Sequence, residues 1–123
     1  MPTFRDMTKS QRRRLRELAT QAYERELAAE LAGLEQTFAR WRGGELTVFE
    51  VEAAVHRFHQ GPARELFKRY DMAPDWPVAA AIVHGILKED EVPPEIRDLL
   101  RVNVDFLREQ EVPPGEEERD PSR

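Results

Sequence analysis

The sequence predicts an all-α protein, a helical bundle of four to five helices, and three observations carry that expectation. Apolar residues recur every three or four positions along most of the chain. Thr8 with Gln11, and Thr47 with Glu50, stand at the starts of the two longest such runs as capping boxes, in which each side chain satisfies the other residue's backbone donor. Glycine or proline pairs then mark where runs stop or turn.

At 123 residues the chain has the length of one domain and can bury a core without disulfides or metal staples. We expect a single all-helical domain over 1–111 and a disordered acidic tail over 112–123, where apolar residues give way to Gly115, Glu116, Glu117 and Glu118. Charged residues make up 35% of the chain and the mean hydropathy is -0.70, as helices with one apolar stripe and one solvated face require.

The first helix is expected over about 8–42. Its stripe comprises Leu15, Leu18, Ala22, Leu27, Leu31, Leu34, Phe38 and Trp41, spaced by three or four except for one step of five between Ala22 and Leu27. That step rotates the stripe and leaves Tyr23, Glu26 and Glu30 between its two halves. The last five members keep an alternating four-three spacing that suits left-handed helix packing. Gly43 and Gly44 end the helix.

The second helix is expected over about 47–70 and pairs antiparallel with the first as a long hairpin. Val48, Val51, Val55, Phe58, Pro62 and Leu66 alternate by three and four, and a second row of Phe49, Ala63, Phe67 and Tyr70 widens that face. Arg57, Arg64 and Lys68 lie opposite. The pattern keeps phase across Gly61-Pro62, which predicts a kinked single helix, with two helices and Pro62 opening the second as the alternative. Proline there leaves the Phe58 carbonyl seeking a donor.

A shorter pair follows over about 76–89 and 94–110. Asp75 is placed to cap the first, which is apolar nearly all round and therefore expected at the centre of the C-terminal half, His84 included. Ile96, Leu99, Leu100, Phe106 and Leu107 form the stripe of the second, with Asn103 inside it.

The function classes narrow by exclusion. Without cysteine there is no Cys-ligated zinc, iron–sulfur cluster, disulfide or thiol catalysis. No Ser/His/Asp order, glycine-rich phosphate loop or nucleophile elbow is present, so no catalytic residue is assigned and no cofactor is expected. Net charge -5 opposes nucleic acid and anionic membrane, and no apolar run approaches the roughly 20 residues that span a bilayer. With no signal peptide in view, a cytoplasmic protein is the expectation.

Three sets of residues invite a functional reading. A first helix of about 50 Å is too long for the later helices to cover, so Leu27, Leu31, Leu34, Phe38 and Trp41 form a candidate interface. A homodimer or a helical protein partner would bury it. The expected function is accordingly a non-enzymatic helical interaction or oligomerisation module. The second set is a polar cluster, Glu52, His56 and His59 on one side of the second helix with Tyr23, Glu26 and Glu30 on the first. Neutral imidazoles and carboxylates there would hold a metal or small ligand, although the glutamate-three-before-histidine spacing of helical di-iron sites is missing. The third is the basic collar Lys9, Arg12, Arg13, Arg14 and Arg16, which would hold a phosphate backbone by charge alone. Its residues point in several directions and lack an aromatic platform.

Overall fold

The computed structural model describes residues 3–111. The fold is all-helical, with no strand among the described residues. The order is a 3-10 turn (Phe4–Asp6), α1 (Lys9–Arg42), α2 (Val48–Phe58), a π-helical turn (His59–Ala63), α3 (Arg64–Tyr70), α4 (Asp75–Val83), a second 3-10 turn (Glu89–Glu91), α5 (Pro94–Leu99) and α6 (Arg101–Gln110). The expected acidic tail, 112–123, lies outside the described residues.

Both capping boxes form. Thr8 Oγ1 accepts from the Gln11 amide at 3.1 Å while Gln11 Oε1 accepts from the Thr8 amide at 2.8 Å. Thr47 and Glu50 repeat the exchange at 3.1 and 2.9 Å. These contacts satisfy amides that a helix start leaves without intrahelical acceptors.

α1 ends in a Schellman motif. Gly44 sits at φ +83°, its amide donates to the Trp41 carbonyl, and the Glu45 amide reaches back to the Arg40 carbonyl at 2.9 Å. The same device ends α4 earlier than expected. Gly85, at φ +75°, donates to Ile82, and the Ile86 amide donates to Ala81 at 2.8 Å. The stretch expected as helix to residue 89 therefore stops at Val83. His84 becomes the exposed cap, bonded to Glu111, and is not a core residue. Pro74, not Asp75, holds the position before α4, and the last expected helix is divided at Leu100 into α5 and α6.

Gly61-Pro62 does not split the second helix. Phe58, His59, Ala63 and Arg64 all keep right-handed helical torsions. A π turn pairs each carbonyl with the amide five residues on. In that register the Phe58 carbonyl, which Pro62 cannot serve, falls to the Ala63 amide, so proline is accommodated and the chain runs helical from Val48 to Tyr70.

The core gathers at one end of the molecule. Leu15, Leu18 and Ala22 of α1 meet Val78, Ala79, Ala81 and Ile82 of α4, with Leu87, Val92, Ile96, Leu100 and Val104 closing around them. Arg25 clamps this base to α1. Its guanidinium makes two bonds to Glu91, at 2.6 and 2.8 Å, and a third to the Ile86 carbonyl at 2.8 Å. Beyond Arg25 the rest of α1 runs away from the buried core and packs along α2, the π turn and α3 as an arm.

Candidate functional site

On the arm, only Val51 and Leu66 are buried apolar residues. The seam itself is set by aromatic and polar contacts. Tyr23 stacks on Tyr70 with ring centroids 4.9 Å apart. Glu26 accepts from the Tyr70 hydroxyl at 2.5 Å and from Arg69 Nη1 at 2.9 Å. Farther out, Glu30, Gly33, Leu34 and Thr37 of α1 line one groove with Ala54, Arg57, Phe58 and Pro62.

Helical phase then fixes what lies either side of that seam. At about 100° per residue, Leu15, Leu18 and Ala22 stand roughly a quarter turn to one side of the α1 residues that face α2 and α3. Leu27, Leu31 and Phe38 stand roughly a quarter turn to the other side. The step of five in the sequence is the switch between them. It carries the apolar stripe of α1 from the side covered by α4 to the side opposite.

α2 behaves in the same way. Val51, Ala54 and Phe58 face α1, and Val48, Val55 and His59 lie roughly a quarter turn away in the same rotational sense, at about 100° per residue. Counting from buried Leu66, Ala63 and Phe67 fall on that side too. In an antiparallel pair, offsets of one rotational sense bring both stripes to a single side of the hairpin. The arm is therefore a two-helix layer with one apolar face, and the base sits against its other side. Along this face and its outer edge, Phe49 is 77% exposed, Phe67 56%, Val48 54% and Leu31 46%.

The expected interface residues divide accordingly. Leu31 and Trp41 are exposed, whereas Leu27, Leu34 and Phe38 are half-buried by their own hairpin. Sequence reasoning missed Val48, Val55 and Phe67 as surface residues. It read the whole width of the second apolar face as covered by α1, and a single helix covers only the inner rows.

The expected polar cluster is not brought together. Glu52 and His56 are exposed on the side of α2 away from the seam, with His56 Nε2 3.6 Å from Glu52 Oε1, and His59, at the start of the π turn, is exposed on the apolar side. Tyr23 and Glu26 are committed to Tyr70 and Arg69, and Glu30 faces Pro62. Among the described residues no group of three or more His, Asp or Glu stands where it could hold a metal ion. The spacing of the histidines was legible, but the side they occupy depends on where Val51 and Phe58 dock.

The basic collar is partly consumed within the chain. Arg12 donates to the Met7 carbonyl at 2.7 Å, Arg14 pairs with Glu17 at 3.0 Å, and Arg16 lies 5.2 Å from the centroid of the Phe4 ring. Lys9 and Arg13 are exposed. No helix of the described residues is long and apolar enough to cross a membrane.

Four groups have shifted acidities, Asp6 and Glu91 lowered and Arg25 and Tyr70 raised, and the two largest shifts have clear structural causes. Burial, then the bond to Glu26 and its negative charge, push the Tyr70 hydroxyl well above its ordinary value of 10.0. The Arg25 guanidinium and the Lys88 amide hold the Glu91 carboxyl down at about 2. Both groups tie one element to another, which is the structural use of a perturbed acidity. No protein-family model, characterised protein or solved structure matches the chain.

Proposed function

We propose that the protein is a non-enzymatic helical interaction module that works through the apolar face of its arm. One observation carries this reading. Large apolar side chains from both helices of the hairpin share one side, and nothing among the described residues covers that side. Apolar surface of this extent is favourable to bury, at roughly 25 cal/mol per Å², and contiguous patches of several hundred Å² mark interaction sites in soluble proteins. The other elements fit a supporting role. The base anchors α1, the Arg25–Glu91 pair fixes the base to it, and the Tyr70–Glu26 bond ties down the root of the arm. The reading takes the cytoplasm as the compartment.

The test is the state of association of the untagged full chain. Light scattering at micromolar concentration is expected to show an assembly larger than one chain. Leu31→Glu and Val55→Glu are each expected to dissociate it while helicity and melting of the base stay unchanged. A chain that associates with nothing, and whose solution behaviour is identical with and without those substitutions, overturns the reading.

A further inference from the structure

Resting on that reading, we infer that the face is occupied by a second copy of this chain, with the two arms pointing the same way and their turns together. Each α1 then lies antiparallel against the long second helix of the other copy, giving a four-helix bundle.

Size is the first argument. The helical stretch 48–70 is about 34 Å long and two helices side by side are about 20 Å wide. The layer thus presents roughly 700 Å², close to the ~800 Å² per partner of a standard protein interface. A lone helix of about 10 Å width would fill the seam and leave the outer rows wet. A second two-helix layer covers both rows, which is the arrangement of four-helix bundles.

Charge decides the orientation. A two-fold axis parallel to the helices keeps every residue at its own level along the arm and sets the outer margin of α1 against the outer margin of the other copy's second helix. Levels are fixed by observed pairs, Tyr23 with Tyr70 and Glu26 with Arg69. Glu35 then comes opposite His56 and His59 of the second copy, and Arg42 opposite Glu52. Every one of these meetings joins an acid to a basic group. Within the chain, Glu35 and Arg42 make no ion pair among the described residues. The apolar rows match as well, Leu27 meeting Phe67 and Phe38 meeting Val55. The opposite orientation, turns apart, stacks α1 on α1 and brings none of these pairs together. Because α4 packs on the far side of α1, the base stands clear of the contact.

Complementary charge reversal tests the orientation. Arg42→Glu and Glu52→Arg are each expected to weaken self-association, and their equimolar mixture to restore it as a mixed dimer at least tenfold tighter than either variant alone. A probe at Glu45→Cys, in a chain without other cysteines, reports the geometry independently. Turns together place two spin labels within roughly 20 Å, from interaxial distances of 8–10 Å plus linkers. Turns apart separate them by about the arm's length of 34 Å. A dimer with distant labels and no mixed-dimer preference overturns this orientation and leaves the interaction module standing. A monomer whose face binds only a different protein overturns the second copy as occupant. Loss of association on Leu31→Glu together with close labels and mixed-dimer preference upholds both.

Discussion

The Tyr70 hydroxyl donates to Glu26 at 2.5 Å across a separation of 44 residues. It does so at the level where α1 leaves the base and the arm begins. Below that level the stripe of α1 faces α4, and above it the stripe has moved to the open side. Stacking of Tyr23 on Tyr70 and the Arg69–Glu26 ion pair complete the junction. The arm is thus held at its root by polar and aromatic contacts, since only Leu66 supplies a buried apolar side chain in α3.

Tyr70→Phe is expected to cost about 1–2 kcal/mol, because it keeps the ring stack and removes a bond to a charged acceptor. Thermal melts followed by circular dichroism would read this as a fall of several degrees. The linkage has a definite sign. A hydroxyl raised in the folded state contributes stability that is complete below pH 10.0, its unfolded value, and is lost as pH rises beyond it. Wild type is therefore expected to lose its advantage over Tyr70→Phe above pH 10. An unchanged difference up to pH 12 would remove the assignment.

Glu91 works in the other direction. Its carboxyl is depressed from 4.5 to about 2 by Arg25 and the Lys88 amide. Its contribution is present above pH 4.5 and is lost as pH falls through the folded value. Glu91→Gln is expected to melt lower than wild type at pH 7 and to converge with it as pH approaches 2. Parallel acid-unfolding curves would show that the Arg25 clamp contributes nothing to holding the base.

Three glycines separate cleanly by backbone geometry. Gly44→Ala and Gly85→Ala force a Cβ into the left-handed region, at an expected cost of about 1 kcal/mol each. Gly33 lies inside α1 with nothing within 4 Å of an added Cβ, so Gly33→Ala is expected to stabilise by about 0.5–1 kcal/mol. Urea titrations of the three variants would rank them in opposite directions from wild type. A destabilising Gly33→Ala would mean that something covers that position in solution.

Base and arm respond differently to lost apolar groups. Leu100, fully buried, is expected to cost about 2–5 kcal/mol when changed to alanine. Phe67→Ser is expected to alter the stability of an isolated chain by no more than about 0.5 kcal/mol while weakening association. Melting at dilute and concentrated protein distinguishes the two effects, since only association makes the midpoint depend on concentration.

What the sequence determined is what local chemistry encodes. Thr8 with Gln11 and Thr47 with Glu50 set the starts of both long helices, because a capping box needs only neighbours three residues apart. The paired glycines set the end of α1, and the three-four spacing set helices over nearly the whole chain. Single residues misled where a backbone device overrode composition. Apolar content ran on to Leu87, yet Gly85 stopped α4 at Val83, since a left-handed residue turns the chain whatever follows it. The π turn likewise absorbed Pro62 by changing the hydrogen-bond register.

Only the tertiary structure decided which side of each helix is wet. The step of five between Ala22 and Leu27 was visible, but its meaning required α4 to cover one side of α1 and nothing to cover the other. The same docking turned Glu52, His56 and His59 outward and gave Glu26 to Tyr70 and Arg69. Periodicity fixes the angle between residues on one helix. The angle between a helix and its neighbour is set by packing across the seam, through contacts tens of residues apart that no local pattern records.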